Sequence, residues 1–209
     1  MARGTISVIS NGVADSEQRA RPGDEPARIV MVARMAPPKR HDLLLEAQRI
    51  LVARGGAAEV LFAGTGPLEQ RWRAAAGSLP SVRFGGDVDD VASLLARSQV
   101  FVLLSDHEGQ PISIMEAMRA GLPVVASDLP GIRGQITHGV EGLLVSPDPV
   151  AIADALRALL ADPDARVRMG AAARRRYERE FSASAMGERV SAVYQQAAAH
   201  RCTVPAPTA

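Results

Sequence analysis

The chain has 209 residues, 47% of them apolar and 22% charged, a globular balance with room for one buried α/β core and a tail but not for two domains of ordinary size. Lys and Arg number 24 against 23 Asp and Glu, a net charge of +1. Neither nucleic acid nor an anionic membrane surface is indicated, so any anion must be held locally.

No run of about 18 apolar residues exists to span a bilayer, and the first residues lack the apolar stretch of a signal peptide. The single cysteine, Cys202, has no disulfide or metal-ligand partner. The expectation is a cytoplasmic protein with no transmembrane segment and no metal.

Residues 1–25 read as a linker-like lead-in, rich in charge, Gly and Pro from Ala14 to Pro26. From there short apolar runs alternate with amphipathic segments, the signature of parallel βα units. Strands are predicted at Ile29 to Ala33, Val60 to Ala63, Val82 to Phe84, Val100 to Leu104, Val124 to Ala126 and Leu143 to Val145. Their apolar character without alternation suits strands covered on both faces.

Leu43, Ala47, Ile50 and Leu51 fall at helical spacing, as do Ile152, Ala155, Leu156, Leu159 and Leu160. Helices are expected to close the domain between Pro163 and Ala199, and residues 200–209 to form a flexible tail. The run Arg174-Arg175-Arg176, with Glu178 and Glu180 close by, reads as a solvated, salt-bridged face. The predicted fold is α/β, a doubly wound Rossmann-like parallel sheet of about six strands with helices on both faces, spanning 26–199.

In such a sheet ligands bind beyond the carboxyl ends of the strands. Those ends carry Arg34 to Lys39, Gly64-Thr65-Gly66-Pro67, Gly85-Gly86-Asp87-Val88, Ser105 to Pro111 and Ser127 to Gly131. A dinucleotide requires a third glycine where Glu69 stands, and no phosphate loop ending in Gly-Lys-Ser or Gly-Lys-Thr occurs. No His or Cys pair has metal-ligand spacing.

The most informative segment runs from Glu108 to Met118, with Glu108 and Glu116 eight positions apart across a loop-to-helix junction. Pro111 suits the first helical position, which places Glu108 before the helix and Glu116 in its second turn. The amides of Ile112 and Ser113 then point into the crevice with the positive helix end behind them, a setting for a diphosphate. Arg34 and Lys39 supply charge from the opposite side, and a carboxylate beside them suits the vicinal hydroxyls of ribose or hexose. Taken singly, each has a plainer reading: acids near a helix start, loop cations, turn glycines. Taken together they converge on one edge.

Several segments resemble the carboxyl-terminal, donor-binding domain of family 4 (group 1) retaining glycosyltransferases of the two-Rossmann-domain GT-B type. These are Val8 to Val13, Val32-Ala33-Arg34 with Lys39 and His41 to Ala47, Gly64 to Pro67, Glu108 to Met118, and Ala120 to Asp128. The resemblance runs in order over nearly all of residues 8 to 182. It implies a nucleoside-diphosphate sugar as partner and no cofactor or metal. Arg34 and Lys39 would hold the diphosphate, Glu116 the ribose hydroxyls, and Glu108 the transferred sugar in the catalytic place. Gly64 and the backbone of Gly109, Gln110, Pro111, Ile112 and Ser113 would meet sugar and phosphates, and Asp87 and Val88 the base.

Ala33, Arg40, Ala14 and Gly134 depart from residues common in that family. The family's acceptor domain, with its usual catalytic histidine, would precede this segment and is missing from the chain. His41, His107, His138 and His200 match no such position and read as surface or structural residues. Two other readings stay open: a non-catalytic nucleotide-sugar-binding module, and an enzyme resembling a nucleotide-sugar epimerase.

Overall fold

In a computed structural model the described residues are 6–56, 58–77 and 79–202, the last three without their side chains. Six strands form one parallel sheet: β1 (Arg28–Val32), β2 (Glu59–Ala63), β3 (Val82–Gly86), β4 (Val100–Leu103), β5 (Val124–Ser127) and β6 (Gly142–Val145). Their spatial order is β3-β2-β1-β4-β5-β6, so the chain winds outward from β1 in one direction and, after crossing over, outward from β4 in the other. The reversal leaves β1 and β4 as neighbours whose following segments depart to opposite sides, which opens a crevice between them. The central strands are buried on both faces: Val30, Met31, Phe101, Val102, Val124 and Val125 are inaccessible, as continuous apolar runs require.

Helix α1 (His41–Ala53) packs against α6 (Pro149–Ala161), and α2 (Glu69–Ala76) lies beside α1. Helix α4 (Ile112–Ala120) is flanked by α3 (Val91–Ala96) and α7 (Pro163–Arg176), while the short α5 (Pro130–Arg133) follows β5. A π-helical turn at Tyr177–Phe181 joins α7 to α8 (Ala183–Cys202). Helix α8 thus extends three residues into the stretch read as a tail, and 203–209 lie outside the described residues.

The lead-in is tied to the domain over much of its described length. Val13 accepts from Ala183 N–H and donates to the Phe181 carbonyl, both at 2.9 Å, and Ala20 N–H reaches the Ala120 carbonyl at 2.8 Å. The Arg174 guanidinium grips Asp15 with two 2.7 Å bonds. Fully buried Arg166 donates to the Pro22 carbonyl (2.6 Å), to Leu159 and Leu160 at the carboxyl end of α6 (2.8 and 3.0 Å), and to Glu25. A cation at a helix carboxyl terminus meets orphan carbonyls and the negative dipole end.

The arginine run differs from its expected role. The side chains of Arg174 and Arg176 are only 17% and 14% exposed, and Arg176 bonds Glu180, the Gly134 carbonyl and Thr137. They are salt-bridged, but as fastenings of the lead-in and of the loop after α5 rather than as a solvated face. The sequence pattern of i,i+4 acids, satisfied by Glu178 and Glu180, conceals these longer-range partners.

His41 opens α1 completely buried, its ring tilted at 47° against Phe62 with centroids 5.4 Å apart. Neither ring nitrogen has a hydrogen-bond partner. Desolvation pushes its pKa down to about 4, opposed only weakly by the neighbouring backbone of Lys39 and by Asp42. The folded protein therefore favours the neutral ring, and the unfolded chain takes up the proton first. Stability is fully present above the ordinary histidine value of 6.5 and is lost as pH falls from there towards 4, by about 2 to 3 kcal/mol. Urea unfolding at pH 7, 5.5 and 4.5 is expected to show this decline in the native chain and a shallower one in His41→Leu. Parallel declines in the two proteins would assign the acid sensitivity to other groups.

Candidate functional site

The segments leaving β1 and β4 are bound to each other across the crevice. Arg40 N–H donates to the Leu104 carbonyl (2.9 Å), Asp106 N–H to the Pro38 carbonyl (3.0 Å), and Lys39 pairs with Ser105 in an isolated antiparallel bridge. Ser105 N–H donates in turn to Ser127 Oγ at the end of β5 (2.9 Å). Arg40 holds Asp42 through Nε and Nη2 (3.0 and 2.7 Å) and Asp106 through Nη1 (2.9 Å), a forked cation bracing both loops. Arg40 is thus employed in aligning the loop that carries Lys39.

The Lys39 ammonium is paired with the Glu108 carboxylate, the two side chains 20% and 11% exposed. The two groups that the resemblance assigns to phosphate and to sugar therefore face each other directly. Glu108 and Gly109 are also backed by α5: a Cβ on Gly131 would stand 2.1 Å from the Gly109 carbonyl oxygen and 2.2 Å from that of Glu108. Only glycine permits this approach, which fixes the depth at which Glu108 sits.

Pro111 is the N-cap of α4, with φ −65° and an extended ψ of 122°, not its first helical residue. The helix starts one position later, at Ile112. Lacking an N–H, Pro111 can donate to no ligand, and its carbonyl accepts from buried Gln135 Nε2 at 3.2 Å. The amides of Ile112 and Ser113 are the first of the helix and have no carbonyl one turn earlier to receive them. Gln110 Oε1 accepts from Asn11 N–H (2.8 Å), so the lead-in reaches the edge of the site.

Glu116, in the second turn of α4, is half-buried. Desolvation raises its carboxyl pKa above the ordinary 4.5, with only Arg119 opposing. No hydrogen bond or ion pair reaches this carboxylate from any described residue. A buried acid without a partner destabilises the fold and is a marker of a functional site.

Arg34 is exposed, without an ion-pair partner among the described residues, and lines a cavity of about 470 Å³ with Gly64, Thr65, Asp87, Val88 and Val91. Gly64 shapes its floor. Its φ of +123° is open to glycine, and a Cβ there would meet the Ala33 carbonyl oxygen at 2.3 Å. The loop then bonds the β1 exit through Met35 N–H to the Thr65 carbonyl (2.8 Å). The candidate residues thus fall in two groups along one edge, Arg34, Gly64, Asp87 and Val88 by β1 to β3, and Lys39 with Glu108 to Glu116 by β4.

A more apolar cavity of about 360 Å³, lined by Leu51, Ala58 and Leu160 among others, opens at the opposite end of the sheet. Of the charges on its rim, Arg54 and Arg157 are engaged by Asp154 and Glu25 by Arg166, and it is remote from the carboxyl edge. His107 is exposed, and His138 accepts from Leu144 N–H through Nδ1 (3.1 Å). No group of His, Cys, Asp and Glu among the described residues is arranged to hold a metal ion. None of the described helices is long and apolar enough to cross a membrane.

The pattern of the family described as glycosyl transferases group 1 matches residues 26–162. The chain belongs to this family. Among its relatives are the amylovoran biosynthesis glycosyltransferase AmsK of Erwinia amylovora, 36% identical over 65% of this chain and 35% of the relative. The alpha-D-kanosaminyltransferase of Streptomyces kanamyceticus is 30% identical over 87% and 49%. A mannosyltransferase of Mycobacterium tuberculosis described as GDP-mannose-dependent is 33% identical over 77% and 45%.

The fold is that of TarM (TM-score 0.77, 23% identity, 91% of this chain and 38% of that one). It is also that of HepE from Anabaena, solved with UDP and glucose (TM-score 0.72, 20% identity, 80% and 48%). The architecture is thus a carboxyl-terminal Rossmann-like domain of the GT-B type, and the chain spans half or less of the length of these relatives.

Gly64→Ala would force a side chain into a left-handed backbone and against the Ala33 carbonyl. It is expected to cost more than about 2 kcal/mol of stability, read as a lowered urea midpoint with the slope of the transition unchanged. A midpoint equal to that of the native chain would show that the loop is free to rearrange.

Proposed function

We propose that the carboxyl edge of this sheet binds a nucleoside-diphosphate sugar and serves as the donor half of a glycosyltransferase. The observation that carries this reading is Glu116, a half-buried carboxylate with no hydrogen bond or ion pair from any described residue, beside the first amides of α4. Two vicinal ribose hydroxyls would donate to its two oxygens and remove the penalty of leaving it unpaired. The diphosphate would lie on the Ile112 and Ser113 amides with Arg34 and Lys39 across from it, and the sugar would reach Glu108.

Transfer to an acceptor held by a second domain would proceed with retention, as the resemblance to family 4 enzymes implies. The leaving diphosphate would be stabilised by fixed cations and amides rather than by a metal. On this proposal the domain alone is inactive, because one wall of a cleft cannot hold the acceptor in attacking distance. A cytoplasmic setting, where sugar nucleotides are ordinarily made, belongs to the same proposal.

The pairing of Lys39 with Glu108 adds a condition. Diphosphate has to compete with Glu108 for the ammonium, whereas a sugar nucleotide compensates the displaced carboxylate with its hydroxyls. Calorimetric titration separates these roles. Glu116→Ala is expected to weaken a nucleoside diphosphate about ten- to hundredfold, the loss of hydrogen bonds to a charged group.

Glu108→Gln is expected to tighten the plain nucleotide severalfold by releasing Lys39, and to weaken the sugar nucleotide. Hydroxyl donors need the ionised Glu116, so affinity holds above its raised pKa and declines as pH falls through it, starting at a higher pH than an exposed glutamate would give. In Glu116→Gln that decline is expected to vanish. Undiminished nucleotide binding by Glu116→Ala would refute the ribose assignment.

A further inference from the structure

The relatives differ in the nucleotide that their names carry, GDP-mannose for one and UDP in the complex of another, so likeness does not decide the base for this chain. The cavity by β1 to β3 bears on it. Strands stand about 4.8 Å apart, so three intervals from the β3 exit to the β4 exit span about 14 Å, a fitting length for an extended nucleoside diphosphate. Arg34 and the α4 amides occupy the β1 and β4 end of that line, which places phosphate there and the base at the β2 and β3 end.

Apart from Arg34 at its β1 end, the cavity presents aliphatic side chains, from Val32, Ala63, Val88 and Val91, with the Thr65 hydroxyl and Asp87. Helix α3, which carries Val91, packs against α4, which carries Glu116. On the donor-site reading, a base between these valines would have its ribose towards α4. Asp87 lines the cavity and is exposed, and its carboxylate bonds to no described residue.

We infer that this site selects guanosine over uridine and adenosine diphosphate donors, with Asp87 reading the base; the inference rests on the donor-site reading above. A carboxylate only accepts, and it offers two oxygens side by side. Guanine alone among the common bases presents two adjacent donors on its Watson–Crick edge, the N1–H and the 2-amino group. Uracil sets its one N–H between two carbonyl oxygens, both repelled by a carboxylate. Adenine sets its amino group beside an unprotonated ring nitrogen, and cytosine does the same. Arg34 also lines this cavity but is taken up by the diphosphate on the same reading, which leaves the Thr65 hydroxyl beside Asp87 among the described polar side chains of the lining, so the discrimination falls chiefly to Asp87.

The test is titration of the full chain with GDP, IDP, UDP and ADP, in the native form and as Asp87→Asn. GDP is expected to bind at least about tenfold more tightly than UDP or ADP, the range of one bidentate base contact. IDP, which keeps N1–H but lacks the 2-amino group, is expected to fall between. In Asp87→Asn the preference for GDP over UDP is expected to shrink to within about threefold, with the thermal midpoint unchanged because residue 87 is exposed.

UDP or ADP binding as tightly as GDP, and weakened by Glu116→Ala, would overturn the guanine inference while leaving the donor site intact. Binding of none of the four would overturn both. If the variant fails to fold, the native chain still decides, since equal affinity for GDP and IDP excludes reading of the 2-amino group.

Discussion

The site depends on the bracing of two loops at the point where the sheet reverses its winding. Neighbouring parallel strands that continue in opposite directions leave their exit segments splayed, with backbone groups that no ladder satisfies. Here Arg40 N–H to Leu104, Asp106 N–H to Pro38 and the Lys39–Ser105 bridge meet those groups, and the Arg40 fork ties Asp42 to Asp106. The Lys39 and Glu108 charges hang from this brace. Lys39 and Glu108 project from its two halves, α4 begins six residues beyond Asp106, and Gly131 sets the wall behind them.

The brace also controls electrostatics. Opposite charges in a partly buried setting attract strongly, so the Lys39–Glu108 pair is a stable resting arrangement. It lowers the field that Lys39 would present to an anion and makes full engagement of the cation depend on something that also satisfies Glu108. Arg34 has no such internal partner and stands further out. On the proposed donor-site reading, phosphate would meet Arg34 and the helix amides first and Lys39 once a ligand also satisfies Glu108, which would favour the complete sugar nucleotide over its fragments.

Stability is distributed away from the edge. The buried Arg166, the Asp15–Arg174 pair and the Val13 hydrogen bonds fasten the lead-in to α7, the π-helical turn and α8. The same lead-in delivers Asn11 to Gln110 beside α4. A displacement of the terminal elements would therefore be felt at the carboxyl edge of the sheet through contiguous hydrogen bonds rather than through the core, which is packed and resists deformation.

Much of the fold was legible in the sequence, because parallel strands buried on both faces leave unbroken apolar runs and their helices leave amphipathic ones. Six strands were placed within two residues of where they lie, and the glutamate pair flanked a helix start as its spacing required. Local chemistry misled by one residue at Pro111, since the ring fixes φ but leaves ψ free, and the extended ψ makes it a cap.

What the sequence could not decide was every relation between distant residues. That Lys39 faces Glu108, that Arg174 holds Asp15, that His41 is sealed against Phe62 and that no described residue bonds Glu116 are all set by how distant elements are brought together in the fold. Composition and periodicity dictate elements because those forces act within a few residues, whereas the partners of a charge are set by which strands the chain brings side by side.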